Sequence, residues 1–531
     1  MICGRRNSKV EVSERRISTA SPLLYPLHLI SVETLLRLYA NDPSARLEAH
    51  QFLKERELLT LWTDLPSTSK IIFVSHEWVG WNHPDPNGTQ LQVLCRCLER
   101  LSKGEIPLVG MNIFCRLLFN ERYETKGREW VSIMKDAYIW LDWICMPQPN
   151  AESSRTSSPL SPEALTKLQN DAGRAIGSIA AYVERADFVL VLVPSCVHKD
   201  RKDPFTKRRV RTCYRTWRKR GWCVLELAAS YLSREKQHPL LVVSSKNGVP
   251  EWISNMEAVK LRLGLSDFTC CQRNHNFSDS RGAIVACDKP RCRDILKPLI
   301  RRKVQYLHSQ RSQSHARVIE QMSRNLMMGL GDDDEERRVR DCTNDPVAAM
   351  KTRLRWNAND GEFFDREGIS LLMYAVIDDD VRSVRDLLHS IASSSRLSKR
   401  QKVLRAASRL PKRVLPYFCY GVGKGTALIA AMAWSSTEVV AELLKSPYVD
   451  PLDEDMNGLD AFMYGSCFGR IDNMDTWMST LPDWDVERKN WSVGGAALCQ
   501  AVRKRSFVRC RSRFVFRYLK QISTDILSNR P

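Results

Sequence analysis

The pattern of apolar and polar positions changes character twice along the chain. From Pro22 to about Leu65, apolar residues recur at helical spacing (Leu35, Leu36 and Leu38, then Leu53, Leu58, Leu59 and Leu61), which predicts short helices. At Lys70 the pattern becomes one of continuous apolar runs of strand length: Ile71–Val74, Ala137–Leu141, Phe188–Val193 and Leu240–Val243. Between them Gln90–Leu101, Ala164–Arg185 and Trp222–Leu232 read as helices. Fully apolar strands alternating with helices predict a parallel sheet covered on both faces. The expectation is an α/β domain of flavodoxin-like size over 70–305, after a polar N-terminus (1–21) and a helical lead-in (22–69). A basic insertion, 197–221, precedes the Trp222 helix. Residues 306–360 are charged, include Asp332-Asp333-Asp334-Glu335-Glu336, and predict a helical linker.

Beyond Gly361 the chain repeats itself. GISLLMYA from Gly368, KGTALIAA from Lys424, GLDAFMYG from Gly458 and GGAALCQA from Gly494 align, with starts 56, 34 and 36 residues apart. Each places a small or polar residue third, an apolar residue fifth and Ala or Gly eighth. Val384-x-x-Leu387-Leu388 and Val439-Val440-x-x-Leu443-Leu444 follow the first two segments. This resembles ankyrin repeats, whose unit of about 33 residues is a turn plus two stacked helices. The resemblance implies an α-helical ankyrin-repeat solenoid over 361–502, with a degenerate fourth unit as a terminal cap and a concave surface for a protein partner. A basic tail, 503–531, follows.

Four segments of the α/β region carry a second resemblance: IIFVSHEW, YIWLDWICMPQ, FVLVLVPSC and GWCVLELAASYL. Over about residues 70–245 they look like the Toll/interleukin receptor (TIR) fold. There the first strand ends in a Ser-containing loop, the second carries an acidic residue, and a Trp-Cys-x-x-Glu-Leu motif opens a helix. The chain is also similar to a group of eukaryotic proteins that join an SHEW…GWCxLE domain to ankyrin repeats. Many TIR domains are adaptors that self-associate. Others cleave NAD at the nicotinamide–ribose bond with the glutamate that Glu226 matches.

The resemblance therefore implies Glu226 as a candidate catalytic carboxylate, able to stabilise an oxocarbenium-like ribose or orient its hydroxyls. It also implies an NAD crevice formed by Ser75, Trp78, Trp81, Asp142 and Trp143, since ligands of open α/β sheets bind at the carboxyl ends of strands. The chain departs from the TIR pattern in the loop His76–Pro84, in the Pro/Ser-rich loop after the second strand, and in the basic insertion. The bland alternative for Glu226 is a helix carboxylate complementing the helix dipole.

Composition narrows the classes. The 531 residues are 43% hydrophobic and 27% charged, which excludes a mostly disordered or fibrous chain. Lys and Arg total 81 against 61 acidic residues, a net charge of +20. The excess is clustered: eleven basic residues in Lys199–Arg220, eight in Arg396–Arg413 and nine in Arg503–Arg530. Tyr214, Trp217, Phe514 and Phe516 interleave with these arginines, so nucleic acid or anionic lipid stays open as a partner beside the plainer reading of solvated loops. No apolar run approaches the roughly 18 residues of a membrane span, and no signal peptide is evident. The seventeen cysteines then suit reduced thiols in a cytoplasmic protein. Lys207-Arg208-Arg209-Val210-Arg211 would allow a nuclear one.

Other constellations weaken on inspection. His76-Glu77 fails as a zinc-protease motif because Gly80 stands where the second His belongs. His76, Glu77, His83 and Asp85 are expected to form a hydrogen-bonded loop in preference to a cation site. Cys270, Cys271, His275, Cys287 and Cys292 are dense, yet adjacent cysteines and uneven gaps fit no standard zinc pattern, so no metal and no resident cofactor are expected. Gly421–Thr426 is no phosphate loop, since Gly follows its Lys. The expectation is an interaction or signalling protein with an ankyrin-type partner surface and a self-associating or docking TIR-like domain. The alternative is an NAD glycohydrolase; a basic nucleic-acid or lipid binder is a weaker third.

Overall fold

In the computed structural model of the chain, residues 21–112, 115, 123–149, 151, 161–203, 206–233, 239–254, 262–275, 286–331, 344–357, 360–409 and 425–489 are described. The fourth repeat segment, the acidic run at 332–336, most of Gly421–Thr426, and the basic tail with Phe514 and Phe516 lie outside these residues.

The strands are β1 (His28–Ser31), β2 (Thr60–Leu61), β3 (Lys70–His76), β4 (Leu108–Gly110), β5 (Glu124–Lys126), β6 (Ala137–Leu141), β7 (Phe188–Leu192), β8 (Cys196–Lys202), β9 (Arg209–Thr212), β10 (Leu240–Val243) and β11 (Glu251–Ile253). Seven of them form one sheet in the order β11-β10-β7-β3-β6-β1-β2. Its central four, β10, β7, β3 and β6, run parallel, and the edges β11, β1 and β2 are antiparallel. The parallel centre is what the apolar runs predicted: Ile71–His76 is wholly buried, as helices on both faces require. Register is reinforced where Phe73 faces Trp140 across β3 and β6, their rings stacked 4.2 Å apart.

Chain order sets the useful geometry. The chain leaves β3 for β6 on one side and then returns to β7 on the other, so β3 is the topological switch point of the sheet. Its carboxyl end, Ser75-His76, opens the crevice where such sheets hold ligands.

Two expectations are corrected here. The lead-in is not only helical: besides the helices Val32–Tyr39 and His50–Glu55, it supplies β1 and β2 to the sheet. The basic insertion is a built element. Cys196 and His198 point inward along β8, β9 pairs with it, and Lys199 N bonds the Val79 carbonyl (2.6 Å), which packs the hairpin on the loop after β3.

The rest of the described chain is helical. Gln313–Met327 packs between Asp288–Ser309 and Leu371–Asp378, so the linker region forms a wall shared by the sheet unit and the helical stack. At the same seam two backbones touch: a Cβ on Gly264 would lie 2.2 Å from the carbonyl carbon of Gly329. Arg262 Nη2 also reaches the Trp434 carbonyl (3.4 Å).

Three helix pairs then stack: Leu371–Asp378 with Val381–Ser393, Ala427–Trp434 with Thr437–Lys445, and Ala461–Phe468 with Ile471–Thr480. First helices pack on first helices and second on second. Every residue of Leu371–Asp378 and Ala427–Trp434 is buried, which is why these helices are apolar on nearly all sides. The second helices are amphipathic. Polar ties lock neighbours: Ser435 Oγ donates to the Val376 carbonyl (2.7 Å), and Asn473 Nδ2 to the Ser435 carbonyl (3.1 Å). The basic insert between the first two pairs contains a helix of its own, Lys399–Ala407, started by the reciprocal Ser398/Gln401 cap.

Candidate functional site

The residues expected to matter gather at the carboxyl end of β3. Glu226 lies in the helix Gly221–Leu232, where every residue except Trp222 is buried and Glu226 is the sole carboxylate. It cannot be a helix-terminal charge on a solvated face. The Ser75 hydroxyl donates to Glu226 Oε2 at 2.5 Å and accepts from Trp217 Nε1 at 2.9 Å. Burial pushes the Glu226 carboxyl up to about 8, a rise that the Ser75 bond only moderates, so it holds its proton at neutral pH.

A second cluster stands beside the first. His76 Nε2 meets Asp142 Oδ1 and His76 Nδ1 meets Gln90 Oε1, both at 2.9 Å, while Trp78 Nε1 donates to Asp142 Oδ2 at 2.7 Å. Burial opposes charge on the His76 imidazole. The Asp142 carboxylate outweighs it, and the His76 pKa is pushed up to about 9. Burial acts to raise Asp142, yet the imidazolium, the Trp78 N–H and the Trp143 amide hold its pKa below the ordinary carboxylate value. His76 and Asp142 are therefore an ion pair at neutral pH. About a quarter of the Asp142 side chain reaches solvent against 3% for His76, so the cluster opens at Asp142.

Thus Ser75 and Glu226 come together, and Trp78, Asp142 and Trp143 come together. Trp143 is buried, edge-on to Trp78 at 5.6 Å and 4.9 Å from the His83 ring. Trp81 stands apart, 40% exposed, with the Arg273 guanidinium 4.4 Å over its ring and its amide bonded to Asp200 on the hairpin.

The four loop residues weighed for a cation go separate ways. His76 pairs with Asp142, Glu77 with Arg201 (3.0 Å), His83 Nε2 with the Leu47 carbonyl, and Asp85 accepts from the Leu91 amide. They form a hydrogen-bonded loop. Sequence reasoning did not give His76, Gln90, Trp217 or Cys223 a place at the Glu226 site. Cys223 Sγ approaches the His76 carbonyl (3.3 Å), and the signal for it was its presence inside the Trp-Cys-x-x-Glu motif.

Two further features lie away from the strand ends. A cavity of about 440 Å³ sits between Asp288–Ser309 and Gln313–Met327, lined in part by Arg293, Lys297, Arg301, Arg324 and Arg355. Of the five cysteine and histidine residues at 270–292, three come together: the sulfurs of Cys270, Cys271 and Cys287 lie within 4.8 Å of one another. Among the described residues, no helix is long and apolar enough to cross a membrane. No protein-family model matches the chain, and no curated protein sequence does.

Proposed function

We propose that this chain is an interaction protein whose ankyrin-type stack docks a protein partner, while its TIR-like sheet unit docks or self-associates. One observation carries the reading: the same turn device is built twice, ninety residues apart. Asp365 Oδ1 accepts from the Glu367 and Ile369 amides, and Asp365 Oδ2 takes the Tyr374 hydroxyl at 2.7 Å. Asp455 Oδ1 accepts from the Asn457 and Leu459 amides, and Asp455 Oδ2 takes the Tyr464 hydroxyl at 2.8 Å. Gly368 and Gly458 hold φ of 88° and 72° in these turns, and Ser370 and Asp460 cap the helices that come next. A unit repeated with this fidelity stacks on its neighbours and leaves its turns and one helical face for binding.

Leu452 and Met456, 51% and 45% exposed, sit at the turn of the third pair and are the apolar residues a partner would cover. The test is capture of protein partners by immobilised full chain, comparing wild type with Leu452→Asp/Met456→Asp. A partner retained by wild type and lost by the folded double variant is the expected outcome. An identical set on both would overturn this surface.

The second reading is NAD cleavage. It is favoured by the Ser75–Glu226 bond, which sets a carboxyl group at the end of the switch-point strand. In that reading Glu226 ionises and faces the ribose, Ser75 turns to a ribose hydroxyl, and Trp78 stacks on a base. Release of nicotinamide should then rise with pH through about 8 and vanish in Glu226→Ala. No release from concentrated wild-type protein at pH 9 would exclude it.

A further inference from the structure

The three sulfurs at Cys270, Cys271 and Cys287 are not simply close. Cys270 and Cys271 are 3.9 Å apart and Cys271 and Cys287 are 3.8 Å apart. Four thiolates at the usual zinc–sulfur length of about 2.3 Å occupy tetrahedron corners about 3.8 Å from one another. These two separations match that edge, the third pair lies within 4.8 Å, and the first two are far beyond the roughly 2.05 Å of a disulfide. A disulfide between Cys270 and Cys271 is also disfavoured, because adjacent α-carbons lie about 3.8 Å apart, shorter than the roughly 4.4–6.8 Å usual for a disulfide.

Burial pushes the Cys270 thiol up, and the Asp288 carboxylate, 3.8 Å from its sulfur, adds to the rise, so a metal binds there by displacing a proton. The Asp288 amide points at Cys270 Sγ (3.5 Å), and Cys287 stands at the N-terminus of the 22-residue helix Asp288–Ser309. Cys270 is buried, whereas Cys271 and Cys287 are half-buried, so an ion has a way in.

We propose that Cys270, Cys271 and Cys287 form a thiolate site for zinc(II), which staples the turn Thr269–Gln272 to the start of the Asp288–Ser309 helix. Soft thiolate donors in tetrahedral separation select zinc over the hard cations that prefer oxygen. The fourth position falls to a water, since the ligand atoms that come together there are the three sulfurs.

The consequence reaches the Glu226 helix, because both stapled segments hold its first residues. Arg220 Nη2 donates to Thr269 Oγ1 (2.6 Å), Gly221 N bonds the Asp267 carbonyl (3.1 Å), and Trp222 Nε1 donates to Asp288 Oδ2 (3.2 Å). The ion is a brace for residues 220–222. It takes no part in partner docking or in NAD cleavage.

The full chain, purified under reducing conditions and loaded with Zn²⁺, should hold one zinc at this site. Replacement by Co²⁺ should give thiolate-to-cobalt charge-transfer absorption. Cys271→Ser should lose that absorption and weaken metal binding by at least about tenfold, while Cys213→Ser, at another half-buried thiol, keeps both. Unchanged occupancy and spectrum in Cys271→Ser would overturn the site, as would a Cys271–Cys287 disulfide found by peptide mass spectrometry in place of metal. Should Cys271→Ser not fold, wild type decides alone. Chelation must expose Cys270, Cys271 and Cys287 to alkylation and speed amide exchange at 221–226. Labelling that is equal with and without chelator refutes the site, and unchanged exchange refutes the brace.

Discussion

Glu226 carries a proton at neutral pH because burial opposes its charge and the nearby Asp142 carboxylate adds to that, beyond what the Ser75 hydroxyl and His76 offset, while Asp142 itself stays ionised beside His76. The pair of environments gives a measurable signature. The folded pKa of Glu226, about 8, lies above its unfolded value of 4.5, so the folded state keeps a proton the unfolded state has lost. Its contribution to stability is complete below the unfolded value and is lost as pH rises through the folded one. His76, raised to about 9, acts in the same direction over a higher range, so the comparison must be with a variant. In Glu226→Gln the fall in urea midpoint between about pH 5 and pH 8.5 should be shallower than in wild type. Parallel curves would mean that Glu226 titrates as an exposed carboxyl. At this scale the sequence was partly readable. The Ser-containing strand end and the Trp-Cys-x-x-Glu motif pointed to Ser75 and Glu226, which are 151 positions apart and share one hydrogen bond. Gln90 and Trp217 carried no such motif, and only the folded chain brings them in.

Among the elements, the helix Gly221–Leu232 is the one on which the site depends. Its first residue has to be glycine for a steric reason, since a Cβ at Gly221 would lie 2.2–2.6 Å from the ring of Phe268. Gly221→Ala must therefore displace a buried ring. It should cost about 1–3 kcal/mol, seen as a lower denaturant midpoint with unchanged slope. A midpoint within error of wild type would show that Phe268 gives way freely. The strands of the centre were legible because burial on both faces leaves a continuous apolar run, as in Phe188–Leu192. Strand β1 was not. Of its four residues, His28 and Leu29 pair with Leu61 and Thr60, while Ile30 and Ser31 pair with Ile139 and Tyr138, over a hundred positions away, and the strong leucine periodicity just after them reads as helix. The β8–β9 hairpin was hidden in the same way, because its inward positions are Cys196 and His198 and not the branched apolar residues that mark a strand.

Across the whole molecule, the net charge of +20 has a more local meaning than composition suggests. Arg201 and Arg220, both in the basic insertion, turn inward to Glu77, at 3.0 and 3.9 Å. Part of the charge is therefore internal bracing, and the hairpin's exposed Lys199, Lys202, Lys207, Arg208, Arg209 and Arg211 are what it offers an anionic surface. The helical pairs were readable from the repeated octapeptides, whereas the shared wall at Gln313–Met327 was not, since a charged segment reads as a linker until its apolar face finds two neighbours. That wall and the contact between Gly264 and Gly329 have a mechanical consequence. With no side chain between the two backbones, there is nothing to act as a hinge pin or a cushion at the middle of the chain. Gly264 lies in Leu263–Leu265, the short turn that packs on the helix carrying Glu226, so any side chain at Gly264 would meet the Gly329 backbone and push that turn and the wall apart.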